Sequence, residues 1–146
     1  MAYQAFDLTG KVALVTGGNG GIGLGMAKAM ARAGADICIW GTNAAKNAAA
    51  LKTLSGHSVK TMALQCDVSR KVEVDASFAE TLQSLGLVDG VFANAGMSGH
   101  ENSFLEITEK NGAVCLALTS TACSSPTKQR CATCWSGRKR TIPAGD

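Results

Sequence analysis

The chain has 146 residues, of which 46% are hydrophobic and 17% charged, and its formal net charge is +3. This composition agrees with one soluble α/β domain. No apolar run approaches the length of a membrane span, and residues 1–10 lack the basic start and apolar stretch of a signal peptide. Six cysteines without a secretion signal favour reduced thiols over a disulfide framework. We therefore expect a cytoplasmic protein that does not contact a membrane.

Strand and helix patterns alternate from Lys11 to Ala93. Apolar runs of strand length cover Lys11 to Thr16, Ile37 to Trp40, Val59 to Leu64 and Val88 to Ala93. The helical faces expected to pack on these strands are Ile22, Met26, Ala29, Met30 and Ala33, then Ala44, Ala48, Leu51 and Leu54, and finally Val72, Phe78, Leu82 and Leu85. The first helix, from Gly21 to Ala33, should end at Gly34, and Ser69 should cap the third. The alternation predicts a parallel sheet covered by helices on both faces.

A glycine-rich turn joins the first strand to the first helix. Residues Thr16 to Gly23 read Thr-Gly-Gly-Asn-Gly-Gly-Ile-Gly and follow the apolar run Val12 to Val15. Closely spaced glycines let the backbone turn sharply and approach a ligand, and the next helix offers free N–H groups and a positive dipole end. A purely structural turn is the alternative. A strand, a glycine turn and a helix in this order predict a site for the pyrophosphate of a dinucleotide.

Three ordered motifs resemble those of the short-chain dehydrogenase/reductase family. The run Thr-Gly-x-x-x-Gly-Ile-Gly at Thr16 to Gly23 is similar to the family's cofactor motif. Cys66-Asp67-Val68 resembles its Asp-Val pair after the third strand, and Asn94-Ala95-Gly96 resembles its Asn-Ala-Gly motif after the fourth. The resemblance runs from about Phe6 to Thr108. It implies an incomplete, doubly wound, Rossmann-like parallel α/β sheet with the strand order 3-2-1-4, followed by an irregular C-terminal tail.

The resemblance also implies roles in cofactor binding. Thr16 would tie the glycine turn to neighbouring backbone, and Asp67 would accept the adenine amino group with Val68 against the ring. Asn94 would brace the central strands, although an ordinary turn at a strand end is the alternative for this residue. The cofactor-binding residues that we predict are Thr16, Gly17, Asn19, Gly21, Ile22, Gly23, Thr42, Asn43, Asp67, Val68, Asn94, Ala95 and Gly96.

The end of the second strand bears on the choice between NAD and NADP. NAD-preferring members of the family place an acidic residue there, which holds the ribose hydroxyls and repels a 2′-phosphate. Here the position is Gly41, followed by Thr42 and Asn43, with Lys46 nearby. Nothing at this position repels the phosphate. We therefore expect NADP in preference to NAD, although the arginine usual in NADP-preferring members is also missing.

Beyond about Gly112 the sequence changes character. Residues 1–112 hold nine basic and ten acidic side chains, whereas residues 113–146 hold five basic and one acidic. We divide the chain into a partial NAD(P)-binding domain, 1–112, and a non-homologous, loosely ordered tail, 113–146, which we expect to resemble nothing in the family. A reading-frame shift or premature stop near Glu109 or Lys110 would account for the change.

Catalysis in the family depends on a Tyr-x-x-x-Lys motif that this sequence lacks. The single tyrosine is Tyr3, before the first strand. We therefore predict no catalytic residue and an NAD(P)-binding half of an oxidoreductase that is catalytically incomplete. A non-catalytic nucleotide-binding protein or a truncated gene product is the alternative. A small alcohol or carbonyl substrate is expected only in a full-length relative.

The tail raises two further possibilities. Cys131 and Cys134 could bind zinc with the cysteines upstream, but only one pair is closely spaced, so we predict no metal. The basic run from Arg138 to Arg140 could contact nucleic acid, but such a run is more typical of a solvated terminus, so we predict no nucleic-acid partner. The fourth strand, Val88 to Ala93, without a fifth beside it would present an apolar edge unless the tail covers it, which favours self-association.

Overall fold

The computed structural model describes residues 6–96, which form four strands and three helices. In chain order these are β1 (Val12–Thr16), α1 (Gly21–Arg32), β2 (Asp36–Gly41), α2 (Ala44–Leu54), β3 (Thr61–Gln65), α3 (Lys71–Leu85) and β4 (Gly90–Phe92). Each of them matches a predicted element in type and order. No helix in this part of the chain is both long and apolar enough to cross a membrane. The predicted division at residue 112 and the tail, 113–146, lie outside the described residues.

The four strands form one parallel sheet in the order β3-β2-β1-β4, which confirms the predicted order. Val12 of β1 lies opposite Asp36 of β2, and Ala13 lies opposite Gly90 of β4. Every residue of β1 is buried. A continuous buried run of this kind is typical of a central strand in a parallel sheet that is covered on both faces.

Helices on the two faces of the sheet divide the core into two clusters. On one face, α1 and α2 pack against Ala13, Val15, Ile37 and Ile39. On the other face, α3 packs against Val12, Leu14, Cys38 and Trp40. Successive residues of β1 and β2 point to opposite faces, so both strands contribute to both clusters. The architecture is the predicted doubly wound, Rossmann-like α/β sheet.

The buried face of α1 is not the predicted one. None of the five predicted residues is buried, and Ile22 is 79% exposed. The buried residues are Gly23, Ala27 and Ala31. Small residues on this face let the helix lie close to the sheet, so size rather than apolar character selects the face. The predicted end of the helix is confirmed, because Gly34 has a φ of +94°, a backbone conformation that favours glycine.

The predicted faces of α2 and α3 are right in part. In α2 Leu54 is buried as predicted, but the residues buried with it are Asn47 and Ala50. Ala44 and Ala48 are exposed instead. In α3 Phe78 is buried, whereas Val72 is 81% exposed. The apolar spacing predicts the wrong face for part of α2, because the polar Asn47, hydrogen-bonded to strand ends, lies against the sheet.

Candidate functional site

The predicted binding residues lie along one edge of the sheet. The carboxyl ends of the four parallel strands meet there, in the order β3, β2, β1, β4. The predicted residues follow these ends or belong to the turn that leads from β1 into α1. Ligands of open α/β sheets bind at this edge, where the strand order changes direction. In this sheet the change falls between β1 and β4, beside the glycine turn.

The glycine turn after β1 needs its glycines for backbone conformation and for close packing. Gly17 has a φ of +64°, and its N–H donates to the carbonyl of Trp40 at 2.8 Å, which ties the turn to β2. A Cβ on Gly17 would lie 3.0 Å from the Cα of Ala95. A Cβ on Gly23 would overlap the carbonyl oxygen of Gly17 and would lie 2.5 Å from Nδ2 of Asn94. The start of α1 can therefore approach the end of β4 only without side chains at these positions.

Thr16, Asn94 and Ala95 connect the ends of β1 and β4. Nδ2 of Asn94 donates to the carbonyls of Thr16, at 3.1 Å, and Gly17, at 3.4 Å. Oγ1 of Thr16 accepts the N–H of Ala95 at 3.0 Å and donates to the carbonyl of Phe92 at 3.4 Å. These hydrogen bonds correspond to the bracing that the sequence predicts for Asn94 and Thr16. They fix the backbone that leads to Gly96.

The N-terminus of α1 faces open space beyond the turn. Its N-cap is Gly20, whose backbone is extended and which offers no side chain to cap the helix. The N–H of Leu24 donates to the carbonyl of Gly20 at 3.1 Å and makes a helical hydrogen bond. The N–H groups of Gly21 and Ile22 lie before it and have no carbonyl partner within the helix. A Cβ on Gly20 or Gly21 would meet no atom within 4 Å. This arrangement of backbone donors and open space fits a pyrophosphate.

The side chains of Asn19 and Asn47 meet beside Gly41 at the end of β2. Asn47 is only 5% exposed, and its Nδ2 donates to the carbonyls of Gly41, at 3.0 Å, and Leu64, at 3.1 Å. Oδ1 of Asn47 accepts from Nδ2 of Asn19 at 2.7 Å. A Cβ on Gly41 would overlap that Nδ2. Asn19, in the glycine turn, is therefore hydrogen-bonded to α2 and lies close to the end of β2.

The predicted phosphate contacts Thr42 and Asn43 are exposed just beyond Gly41. Asn43 is the N-cap of α2, and its Oδ1 accepts the N–H of Lys46 at 2.9 Å, so this oxygen is used by the helix. Lys46 is exposed in the first turn of α2. No Asp or Glu occurs from residue 37 to residue 66. This stretch therefore brings positive but no negative side-chain charge to the end of β2.

Asp67 follows β3, two strands away from the glycine turn. Its Oδ1 accepts from the hydroxyl of Ser69 at 2.7 Å and from the N–H of Ser69 at 2.9 Å. These bonds, the hydroxyl first, hold the pKa of the Asp67 carboxyl below its usual range, so the group is ionised at neutral pH. The predicted cap is wrong, since the N-cap of α3 is Arg70 and Ser69 serves Asp67. Val68 is 5% exposed in the core beside α3, so little of its side chain is left for an adenine ring.

The motif-based prediction omits two residues of this edge, Gly20 and Asn47. Gly20 lies inside the glycine run and could have been included as the residue before the helix. Asn47 shares a helical spacing with Ala50 and Leu54. That spacing was the available signal for a polar residue that faces the sheet.

Residues 11–139 match the family described as short chain dehydrogenase. The match continues past Thr108, where the resemblance based on motifs ends. The sorbose reductase SOU1 of Candida albicans is 36% identical over 102 residues, which are 70% of this chain and 36% of that protein. The chain thus spans about a third of the length of this relative.

Solved structures share the fold. The L-sorbose reductase of Gluconobacter frateurii, complexed with NADPH and L-sorbose, aligns with a TM-score of 0.75 at 27% identity, over 84% of this chain and 47% of the other. An NAD+-bound xylitol dehydrogenase aligns with a TM-score of 0.76 at 25% identity, over 84% of this chain and 48% of the other. The chain therefore corresponds to about half of each of these proteins.

Proposed function

Because the chain belongs to the short-chain dehydrogenase family, we propose that its described residues bind a nicotinamide dinucleotide along the carboxyl edge of the sheet, NADP in preference to NAD. The observation that carries this proposal is the glycine turn, which opens onto the uncapped N-terminus of α1. The pyrophosphate would accept hydrogen bonds from the N–H groups of Gly21 and Ile22 and would face the positive end of the helix dipole. The NADPH and NAD+ in the two solved relatives support this class of ligand.

The adenosine half would extend from the turn across the ends of β2 and β3. The ionised carboxylate of Asp67 would accept a hydrogen bond from the adenine amino group. A 2′-phosphate would lie near Thr42 and Lys46, where residues 37–66 supply no carboxylate. The absence of an acidic side chain at Gly41 supports NADP over NAD, because a carboxylate there would repel the phosphate.

The nicotinamide half would extend toward the end of β4. The hydrogen bonds from Asn94 and Ala95 to Thr16 hold the backbone along which the ribose would lie. Ile22 is 79% exposed at the start of α1 and offers an apolar surface there. The bound nicotinamide would accept or supply a hydride. The residues of this chain would bind and orient it.

Gly20→Asp tests the pyrophosphate position. Aspartate is a favoured N-cap residue, and the extended backbone and open surroundings of Gly20 accommodate a side chain, so thermal stability should stay equal or rise. The new carboxylate would repel the pyrophosphate, and we expect the affinity for NADP in titration calorimetry to fall at least about tenfold, or ~1.4 kcal/mol. Gly25→Asp is the control, since it adds the same charge where a Cβ meets no atom within 4 Å.

The control should bind like the wild type. If the folded wild type gave no heat with either NADP or NAD, the proposal of a dinucleotide site would be wrong. Undiminished affinity in Gly20→Asp would place the pyrophosphate elsewhere.

We also propose that this dinucleotide site belongs to the oxidation or reduction of a small alcohol or carbonyl compound. The names of the sorbose reductase and xylitol dehydrogenase relatives support that substrate class. Free, buried thiols at Cys38 and Cys66 suit the cytoplasm as the compartment.

A second candidate function is a binding protein without turnover. It is favoured for the 146-residue chain because Tyr3 is its single tyrosine and Asp7, not lysine, follows four residues later.

We expect the 146-residue chain to bind the cofactor without turning over substrate at a rate typical of the family. The family uses a tyrosine, with a lysine beside it, as the general acid or base at the substrate oxygen, and such help contributes about 10²–10⁴-fold to the rate. Absorbance of the reduced cofactor should be followed with sugars, secondary alcohols and 3-oxoacyl esters. The sorbose reductase of Candida albicans serves as the positive control in the same assay. Comparable rates from both proteins would contradict this expectation.

A further inference from the structure

The turn between β3 and α3 fixes Asp67 through three of its four polar groups. The N–H of Asp67 donates to Oε2 of Glu73 at 2.9 Å, and its carbonyl oxygen accepts the N–H of Arg70 at 3.0 Å. Oδ1 of its carboxylate accepts both the hydroxyl and the N–H of Ser69. Among residues 6–96, Oδ2 of Asp67 accepts no hydrogen bond. The turn therefore presents one carboxylate oxygen whose direction is set by the three other groups.

Glu73 reaches further than a helix cap requires. It lies in the first turn of α3, three residues after the N-cap Arg70. In a capping box, the side chain at this position accepts the N–H of the N-cap residue itself. Here the N–H of Arg70 is bonded to the carbonyl of Asp67, and Glu73 accepts the N–H of Asp67 instead. The Glu73 carboxylate therefore holds the turn that carries Asp67.

The same carboxylate determines where the charge of Arg70 lies. The Arg70 guanidinium forms an ion pair with Oε1, the other carboxylate oxygen of Glu73. Arg70 is nevertheless close to Asp67. The pKa of the Asp67 carboxyl is lowered first by the hydroxyl of Ser69, then by its N–H, and to a smaller extent by the positive charge of Arg70. Without Glu73 the guanidinium can turn to the Asp67 carboxylate, and a pair formed there would cover Oδ2.

The exposure of Arg70 makes a stabilising role for this ion pair small. The Arg70 side chain is 70% exposed, and ion pairs in such surroundings contribute little to the free energy of unfolding. The consequence of the pair is therefore to be sought in the placement of the two charges. With Arg70 on Glu73, Oδ2 of Asp67 stays open to a ligand.

We propose that Glu73 is a positioning residue for the recognition of adenine. One oxygen of its carboxylate fixes the backbone of Asp67, and the other holds Arg70 away from Oδ2, which is left to accept the adenine amino group. This inference rests on the proposed dinucleotide site. It adds to that site a residue that acts through Asp67 without touching the cofactor.

The test compares NADP with an analogue in which hypoxanthine replaces adenine, so that the amino group is missing. In titration calorimetry on the full chain, the wild type should bind NADP about tenfold to a hundredfold more tightly than the analogue, as expected for one hydrogen bond to a charged group. Glu73→Ala should lower this ratio to less than about threefold. Glu80→Ala is the control, because it removes an exposed carboxylate from the same helix and should leave the ratio unchanged.

The ratio separates positioning from a merely structural role. Loss of stability alone would weaken the binding of both ligands equally. An unchanged ratio in Glu73→Ala, with or without weaker binding, would therefore overturn the proposal.

A conservative substitution separates the two oxygens of the carboxylate. Glu73→Gln keeps an acceptor for the N–H of Asp67 but has no charge to hold Arg70, so the ratio should fall. Arg70→Ala should restore the ratio in the Glu73→Gln background. An unchanged ratio in Glu73→Gln, or a fall that Arg70→Ala does not reverse, would contradict the holding of Arg70. This pair of variants decides if Glu73→Ala does not fold.

Hydrogen exchange without ligand checks the geometry of the turn. The amide of Asp67 should exchange more slowly in the wild type and in Glu73→Gln than in Glu73→Ala. Equal rates in all three proteins would show that Glu73 does not accept this N–H.

The wild type alone distinguishes failure of this inference from failure of the proposed function. If the folded wild type bound neither NADP nor NAD, the proposed function would be wrong. Equal affinity of the wild type for NADP and the hypoxanthine analogue would leave the dinucleotide site standing. It would overturn this inference, because Asp67 would then not contact the amino group.

Discussion

Two glycines in the first turns of α1, Gly23 and Gly25, have opposite physical roles. Gly23 is buried against the carbonyl of Gly17 and the amide of Asn94, whereas Gly25 is exposed and a Cβ there would meet no atom within 4 Å. Gly23 lets the helix approach the end of β4. Gly25 makes no contact that requires glycine, and it carries the conformational cost of glycine in a helix.

Alanine at each glycine should therefore change stability in opposite directions. Gly23→Ala should lower the free energy of unfolding by about 1–3 kcal/mol, because the new methyl group overlaps backbone atoms. Gly25→Ala should raise it by about 0.5–1 kcal/mol. Urea denaturation measures both changes, and Gly25→Ala is the matched control within the same helix. Equal effects of the two substitutions would show that α1 does not pack as described.

The glycine motif made part of the site predictable from sequence. Gly17 and Gly23 are recognisable because each is constrained by backbone conformation or close contact, and these constraints leave glycine in the sequence. For Asn47 the helical spacing with Ala50 and Leu54 was the available signal, but composition pointed the other way, because an asparagine within a helix is usually exposed. Its burial depends on two carbonyls at strand ends, and their position becomes known only when α2 lies against the sheet.

At the scale of elements, a buried hydroxyl joins α3 to β2. Oγ1 of Thr81 donates to the carbonyl of Ser77 at 2.7 Å and accepts from Nε1 of Trp40 at 3.3 Å. Sγ of Cys38 lies 3.4 Å from the same oxygen. Burial raises the pKa of the Cys38 thiol to about 11, although the Thr81 hydrogen bond opposes this shift. The thiol should therefore report whether α3 is packed on the sheet.

Alkylation of Cys38 should be slow in the folded protein. At pH 8 the raised pKa reduces the reactive thiolate about a hundredfold relative to a thiol of ordinary pKa, and burial slows the reaction further. Iodoacetamide labelling followed by peptide mass spectrometry, with the urea-unfolded chain as control, measures the difference. The contribution of the buried neutral thiol to the free energy of unfolding should be complete below pH 9.0, and it should be lost as the pH rises toward about 11. Labelling at the unfolded rate in native buffer would contradict the packing.

The order and type of the elements were predictable, but two helix faces were not. Strands in a parallel sheet are continuous apolar runs, and β1 is recognisable as one. The face of α1 follows a different rule, since close approach to the sheet selects Gly23, Ala27 and Ala31 rather than large apolar residues. The face of α2 includes the polar Asn47, which is hydrogen-bonded to strand ends. A spacing argument that weights residues by apolar character places such a face on the wrong side.

At the scale of the whole molecule, β4 is an edge strand among residues 6–96. It pairs there with β1 alone. An open edge in a parallel sheet can pair with another chain. We therefore expect the protein to self-associate through this edge.

Light scattering over a concentration series tests the expected self-association. Wild-type mass should rise with concentration, and Gly90→Lys should reduce the rise, because charged side chains on edge strands oppose pairing. A Cβ is accommodated at this position, since the atom nearest to it lies 3.6 Å away, in Phe92. A monodisperse wild-type monomer at high concentration, or an unchanged rise in Gly90→Lys, would exclude this edge as the contact.

The central position of β1 sets the order in which the chain can become competent to bind. Asn94 donates to Thr16 across 78 positions of sequence, and Asp89 accepts the N–H of Val12 across 77. During synthesis the glycine turn leaves the ribosome early, but the residues that hold it arrive only with β4. Contacts between such distant residues carry a loop-closure cost that slows folding. A dinucleotide that binds the braced turn would stabilise only chains that have completed the sheet, so cofactor supply would raise the yield of folded protein.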